Sequence, residues 1–200
     1  MTEAVTRIVL ATRNRGKLRE MREILRDVKV ELTTAADVGA PEVEETGSTF
    51  EENATLKALA VARASGLMAI ADDSGLEVPA LDNDPGVHSS RYSTEGTDAA
   101  NNVKLREEIR RRGLTRPPAR FVCVMVLATP EGVKFTVRGE VEGEIREEPR
   151  GESGFGYDPV FFCPELGKTF GEAKPVEKES VSHRGRALRR LAELLVPELT

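Results

Sequence analysis

Eight consecutive apolar residues at 121–128 (FVCVMVLA) limit what this chain can fold into more than any other stretch. The run shows no polar alternation, so neither face can be given to water. A strand of this kind belongs in the middle of a sheet covered on both sides. It is far shorter than the ~20 apolar residues a bilayer-spanning helix needs. Pro130-Glu131-Gly132 then turns the chain back into 133–145, whose alternating character completes a long hairpin with the strand 120–129.

The remaining elements are legible around that strand. RIVLA (7–11) reads as a short buried strand and Asn14-Arg15-Gly16 as a turn. Residues 17–25 read as a helix with Leu18, Met21, Ile24 and Leu25 on one face. Thr49-Phe50-Glu51-Glu52 spells a capping box, Thr49 at N-cap and Glu52 at N3, opening an Ala-rich helix that Gly66 ends. A second buried strand at 67–71 runs straight into Asp72-Asp73-Ser74-Gly75. Thr97 or Asp98 caps a third helix that ends near Gly113, its last turn carrying Arg110, Arg111 and Arg112 where they suit the helix dipole. A Gly-rich loop at 151–156, a short strand at 160–163 and a closing helix at about 183–195 complete the chain. Leu188, Leu191, Leu194 and Leu195 form the stripe of that last helix. This order predicts an α/β fold, a mixed β-sheet with helices on both sides, in a single domain over 1–200 with no separate linker.

Charge and cysteine usage narrow the function classes. There are 29 Lys plus Arg against 34 Asp plus Glu, a net charge of −5. That balance argues against a nucleic acid polymer as partner, because phosphate backbones select basic surfaces. The one basic stretch, 104–120, has seven basic and two acidic residues and reads as a solvated helix face with a trailing loop. Cys123 and Cys163 sit in apolar, strand-like surroundings and encode no disulfide framework or zinc site. Met1-Thr2-Glu3-Ala4 shows no secretory signal, so the expectation is a cytoplasmic protein that does not engage a membrane.

Four constellations can carry chemistry. Thr12-Arg13-Asn14-Arg15-Gly16-Lys17 joins a strand to a helix, and a helix N-terminus offers N–H groups and positive potential to phosphate. An ordinary strand-to-helix turn with solvated Lys and Arg is the other reading, since the spacing is not that of a P-loop. Asp72-Asp73 stands at the end of a buried strand, where ligands of open α/β sheets bind. The two side chains point to opposite faces, so they form no dyad. One of them can ligate Mg²⁺, deprotonate a water, or simply cap the turn at Ser74-Gly75. In Gly154-Phe155-Gly156-Tyr157-Asp158-Pro159 an aromatic can stack on a base and Asp158 can accept from a base N–H, or the aromatics can be core anchors. Lys178 and Ser182-His183-Arg184 fall within seven residues, and Arg can make paired hydrogen bonds to a purine edge.

Together these segments resemble the inosine/xanthosine triphosphate pyrophosphatases. The matching stretches are ATRNRGKLREM (11–21), EETGSTFEENATLKA (44–58), ADDSGLEV (71–78), PGVHSSRYS (85–93), GFGYDPVFF (154–162) and EKESVSHRGRAL (177–188). They span nearly the whole chain in the family's order. The resemblance implies cleavage of a nucleoside triphosphate between its α- and β-phosphates, with Mg²⁺, to monophosphate and pyrophosphate. It implies a long mixed sheet with two lobes around a substrate cleft, usually in a homodimer. It assigns Thr12, Arg13, Asn14, Arg15, Gly16 and Lys17 to the triphosphate, with Lys57 as a second phosphate-facing lysine. It assigns Glu44 and Asp73 to the metal, Asp73 also as proton acceptor for the attacking water, and Ser74 to the substrate beside it. Phe155, Gly156, Tyr157 and Asp158 correspond to the base-side loop, and Lys178, His183 and Arg184 to the residues that close on hypoxanthine or xanthine. His88 departs from the aromatic that family members often carry in this segment, which bears on packing or a subunit contact.

Two other functions fit parts of the same sequence. A pyrophosphatase for modified pyrimidine or methylated nucleotides keeps the phosphate residues and changes the base loop, and the SHR and FGYD segments argue against it. A nucleotide-binding module without catalysis predicts loss of Asp73 or Lys17, and both are present.

Overall fold

The computed structural model describes residues 6–12, 14–26 and 28–198. Met1 to Ala4, read above for a secretory signal, lie outside the described residues. In chain order the elements are β1 (Thr6–Leu10), α1 (Arg15–Ile24), β2 (Val30–Thr34), α2 (Phe50–Ser65), β3 (Met68–Glu77), α3 (Asp98–Arg111), β4 (Pro118–Thr129), β5 (Gly132–Ile145), β6 (Phe161–Cys163), β7 (Lys168–Thr169), α4 (Pro175–Val181) and α5 (His183–Glu198). Two 3₁₀ turns, Pro79–Leu81 and Gly86–Arg91, follow β3. The strands form one seven-stranded mixed sheet in the order β2-β1-β3-β4-β5-β6-β7. β1 pairs in parallel with β2 and β3, whereas β5, β6 and β7 pair antiparallel. The apolar run is the interior of β4, with residues 121–128 all buried, as a strand flanked by β3 and β5 and covered on both faces must be.

The chain divides into two compact units. The first takes the described residues of Met1–Asp73, Cys123–Arg138 and Gly185–Thr200; the second takes Ser74–Val122 and Gly139–Arg184. Every crossing falls inside a regular element, in β3, β4, β5 and the first turn of α5. In the first unit Ile8 and Leu10 of β1, Met21 of α1, Ile70 of β3, Met125 and Leu127 of β4 and Leu188, Leu191 and Leu195 of α5 share one core. In the second, Leu76, Leu105, Phe121, Val141, Tyr157, Phe161 and Phe170 share another. No described helix is long and apolar enough to cross a membrane.

Several boundaries differ from the sequence reading. α1 begins at Arg15, so Gly16 belongs to a helical turn rather than to a loop. Asn14 is its N-cap: its side-chain oxygen accepts from the N–H groups of Gly16 and Lys17 at 2.9 and 3.1 Å. Those two N–H groups are therefore already satisfied by the protein. β3 does not end at Ala71 but runs to Glu77, which puts Asp72 and Asp73 at mid-strand; β1 pairs with it only over Met68–Ile70, so β4 is the sheet neighbour that overrides the turn character of Asp-Asp-Ser-Gly. On α5 Leu194 is 41% exposed, while Ala187 takes a place in the core. At about 100° per residue Leu194 lies at the margin of the arc spanned by Ala187, Leu188, Leu191 and Leu195. α2 is capped as read, Thr49 accepting from Glu52 N–H at 3.1 Å and Gly66 closing it at φ 70°. Glu52, however, reaches back to the N–H of Ser48, at 2.7 Å.

Candidate active site

The first unit gathers a charged cluster around mid-β3. Adjacent strand residues point to opposite faces, and Asp72 and Asp73 find different partners. Asp72, 1% exposed, takes Lys17 Nζ of α1 at 2.8 Å. Asp73, 5% exposed, accepts from Asn53 Nδ2 at 3.0 Å and has Lys57 Nζ at 3.9 Å. Asn53 and Lys57 lie four residues apart on α2, so both come off one helix face, the face that buries Ala54 and Ala58. Lys57 is also hydrogen-bonded to Glu45 of the preceding loop.

These charges are strongly coupled. Burial pushes Asp73 up to about 6, and the negative charge of Glu45 adds to it. Lys57, the Asn53 hydrogen bond and Lys17 pull the other way and are outweighed. Burial alone would lower Lys57, but Asp72, Asp73 and Glu45 together hold it above the ordinary lysine value. Among the described residues the cluster sets two lysines, Lys17 and Lys57, against three carboxylates, Asp72, Asp73 and Glu45. In Asp73 it holds a carboxylate raised to about 6 and so ionised at neutral pH, which suits a base or a ligand for a hard cation.

The second unit gathers the other group. Asp158 and Lys178 are both buried and form an ion pair at 2.6 Å. The same Asp158 oxygen, Oδ2, accepts from the N–H of Phe155 at 2.8 Å. Gly154 has φ +80°, and a Cβ there would fall 1.9 Å from that oxygen, so the loop requires glycine at this point. The half-buried Phe155 ring has Lys178 Nζ at 4.8 Å and Arg184 Cζ at 5.6 Å from its centroid. Arg184, 2% exposed, donates to Ser74 Oγ at 2.9 Å.

Neighbouring elements fix this loop. The Gly156 N–H donates to Asp98 Oδ2 at 2.7 Å, and its carbonyl accepts from Asn102 Nδ2 at 2.8 Å, both from the first turns of α3. Tyr157, 3% exposed, donates its hydroxyl to the Ser89 carbonyl at 2.9 Å. Ser89 in turn accepts from the Leu76 N–H at 2.9 Å, which ties the loop to β3.

The structure thus brings Lys17, Lys57 and Asp73 together in one unit, and Ser74, Phe155, Asp158, Lys178 and Arg184 together in the other. Others stand elsewhere. Arg13 lies outside the described residues. Asn14 and Arg15 are exposed, Asn14 serving as the helix cap, and Thr12 Oγ1 accepts from the Asn14 N–H at 3.2 Å. Glu44 is exposed on its loop, and it is Glu45 that reaches Lys57. The Tyr157 ring belongs to the core of its unit, the anchor reading rather than the stacking one. His183 is buried with its ring stacked on Phe121, centroids 4.7 Å apart. Sequence reasoning missed Glu45, Asn53, Asp98 and Asn102. Only Asn53 carried a signal, its four-residue spacing from Lys57 on the small-residue face of α2.

Comparison with known proteins gives a consistent picture. A family model described as the Ham1 family matches residues 8–194. A dITP/XTP pyrophosphatase of Thermus thermophilus is 53% identical over 187 residues, covering 94% of this chain and 90% of that one. One from Geobacter sulfurreducens is 50% identical over 193 residues, covering 96% and 97%. A solved HAM1 protein from Coxiella burnetii superposes with a TM-score of 0.90 at 44% identity, covering 96% of this chain and 98% of that one.

Proposed function

This chain belongs to the Ham1 family, and from that premise we propose that it hydrolyses the deaminated purine nucleoside triphosphates ITP, dITP and XTP to monophosphate and pyrophosphate, with Mg²⁺. Such an activity clears these nucleotides from the pool before they enter DNA or RNA. The single observation that carries the mechanism is Asp73, a buried carboxylate held by Asn53 and Lys57 with its pKa raised to about 6. It is ionised at neutral pH and basic enough to accept a proton from water.

In this reading water attacks the α-phosphorus, its proton passes to Asp73, and the bond to the bridging oxygen breaks with pyrophosphate as leaving group. Lys17 and Lys57 supply the positive charge that the polyphosphate needs. Each already has a carboxylate partner, Asp72 and Glu45 respectively, so phosphate binding trades one anionic partner for another. Mg²⁺ suits the residues present: the cluster offers hard carboxylate oxygens, and no three His, Cys, Asp or Glu side chains converge among the described residues to cage a metal alone. Asp73 would hold it, with Glu44 or Glu45 from the loop, and phosphate oxygens and water would complete its shell. When bound, it would neutralise charge on the phosphates.

Phe155, with Lys178 and Arg184 near its ring, supports the base-side role. Donors meeting O6 accept hypoxanthine and xanthine and leave adenine, with an amino group there, badly matched. Guanine also carries O6, so its rejection rests on contacts near C2. Crossings between units inside β3, β4 and β5 support one domain without a linker. A cytoplasmic homodimer belongs to the same reading on family resemblance, and sedimentation tests the dimer. The decisive assay is pyrophosphate release from ITP, XTP, dITP, GTP and ATP, with and without Mg²⁺. Turnover confined to the deaminated purines supports the proposal, and equal rates on all five overturn it.

A further inference from the structure

The basic stretch 104–120 plays no part in the mechanism above, yet the second unit does not leave it as a plain solvated face. It contributes three cationic side chains to a cavity of about 390 Å³ whose lining carries six cations: Arg106 and Arg110 of α3, Arg116, Arg146, Arg150 and Lys168 of β7. Three carboxylates line it as well, and Glu144 and Glu177 beside it pair with Arg116, Arg146 and Lys168, which leaves one positive charge in surplus in a chain whose net charge is −5. The volume lies within the roughly 300–1,000 Å³ of small-ligand sites.

Arrangement matters here more than the count. Arg116 and Arg146 share one carboxylate oxygen, Glu144 Oε1, at 2.5 and 2.8 Å, so a single anion serves two guanidinium groups. Arg146 sits over an aromatic ring, its Cζ 3.9 Å from the centre of Phe162. Arg106 buries its Nε without a hydrogen-bond partner among the described residues. A buried guanidinium N–H lacking an acceptor is costly unless something supplies one. Guanidinium forks gathered in a concave site suit phosphoryl oxygens, which accept paired hydrogen bonds. The concavity also focuses the positive potential.

We propose that this cavity is a second anion site, separate from the lysine–carboxylate cluster around Asp73, and that it takes a polyphosphate. The ligand is either inorganic or the polyphosphate of a nucleotide. The test is calorimetric titration of the full-length, metal-free protein with inorganic tripolyphosphate and, separately, with a non-hydrolysable ITP analogue. The parent chain should bind two molecules of the preferred ligand. Arg106→Gln with Arg150→Gln should weaken one site by at least about tenfold, leaving the other intact, which also shows that the variant is folded. Lys17→Ala with Lys57→Ala should remove the other site alone. Tighter binding of tripolyphosphate at the arginine site identifies the inorganic ligand, and tighter binding of the analogue identifies the nucleotide. A single site in the parent that the lysine pair abolishes overturns the proposal. So does a second site indifferent to Arg106 and Arg150. Loss of neither site in the lysine variant would instead count against the phosphate role of Lys17 and Lys57.

Discussion

Asp73→Asn should make the metal-free protein more stable while disabling it. The Asp73 carboxyl is raised from 3.8 to about 6, first by burial. A carboxyl raised by folding binds protons more tightly in the native than in the unfolded chain, so its ionised form opposes folding. The contribution is unfavourable above the folded pKa and is relieved as pH falls through about 6 towards 3.8. At about 1.4 kcal/mol per unit, the cost at pH 7.5 is about 3 kcal/mol, and linkage reduces it to about 0.5 kcal/mol at pH 4. Asparagine has nearly the same shape and no charge, and its oxygen can keep accepting from Asn53. Urea unfolding in the presence of a chelator, at pH 7.5 and pH 4, measures the difference between variant and parent. The expected gain is about 1–3 kcal/mol at pH 7.5, shrinking to a few tenths at pH 4. Turnover of ITP should fall by about 10²–10⁴. A variant less stable than the parent at pH 7.5, or a gain independent of pH, would refute the claim that burial dominates this carboxyl. Parent-like turnover would remove Asp73 from the chemistry.

Gly154→Ala forces a side chain into a left-handed position and against Asp158; it should cost about 1–3 kcal/mol locally and raise KM for ITP, as steady-state kinetics would show. Lys178→Met strands Asp158 in the interior and should destabilise the fold by about 3–5 kcal/mol in urea unfolding, with Lys178→Met plus Asp158→Asn recovering much of the loss. Arg184→Ala should erode discrimination between ITP and ATP by about 10–100-fold in kcat/KM; unchanged selectivity would exclude Arg184 from base recognition.

What the sequence made legible follows from which forces act locally. β4 is readable because burial on both faces leaves no polar residue in its interior, and α2 because its cap, Thr49, and its stop, Gly66, are adjacent in sequence to what they cap. β2, with the half-polar sequence Val-Glu-Leu-Thr-Thr, and the two-residue β7 are invisible, since their strand character comes from pairing with β1 and β6. The continuation of β3 through Asp-Asp-Ser-Gly is likewise imposed by its sheet neighbour β4. Charged side chains at the site were recognisable by type and spacing, but their partners were not. Asn53 meets Asp73 across 20 residues and Lys178 meets Asp158 across another 20, distances over which no periodicity speaks. Tyr157 shows the opposite limit: an aromatic in a glycine-rich loop looks like a ligand platform until its hydroxyl is found on the Ser89 carbonyl.

The clamping of Gly156 by Asp98 and Asn102 has a thermodynamic consequence. Fixing a backbone residue costs roughly 1–2 kcal/mol in entropy, so ordering the five residues 154–158 only on contact with ligand would cost roughly 5–10 kcal/mol of binding free energy. Here α3 and the Ser89 turn meet that cost during folding. On the proposed function, base recognition would use a preformed surface, and its heat-capacity change should report apolar burial by the purine ring alone, without the large contribution of a loop that folds as it binds.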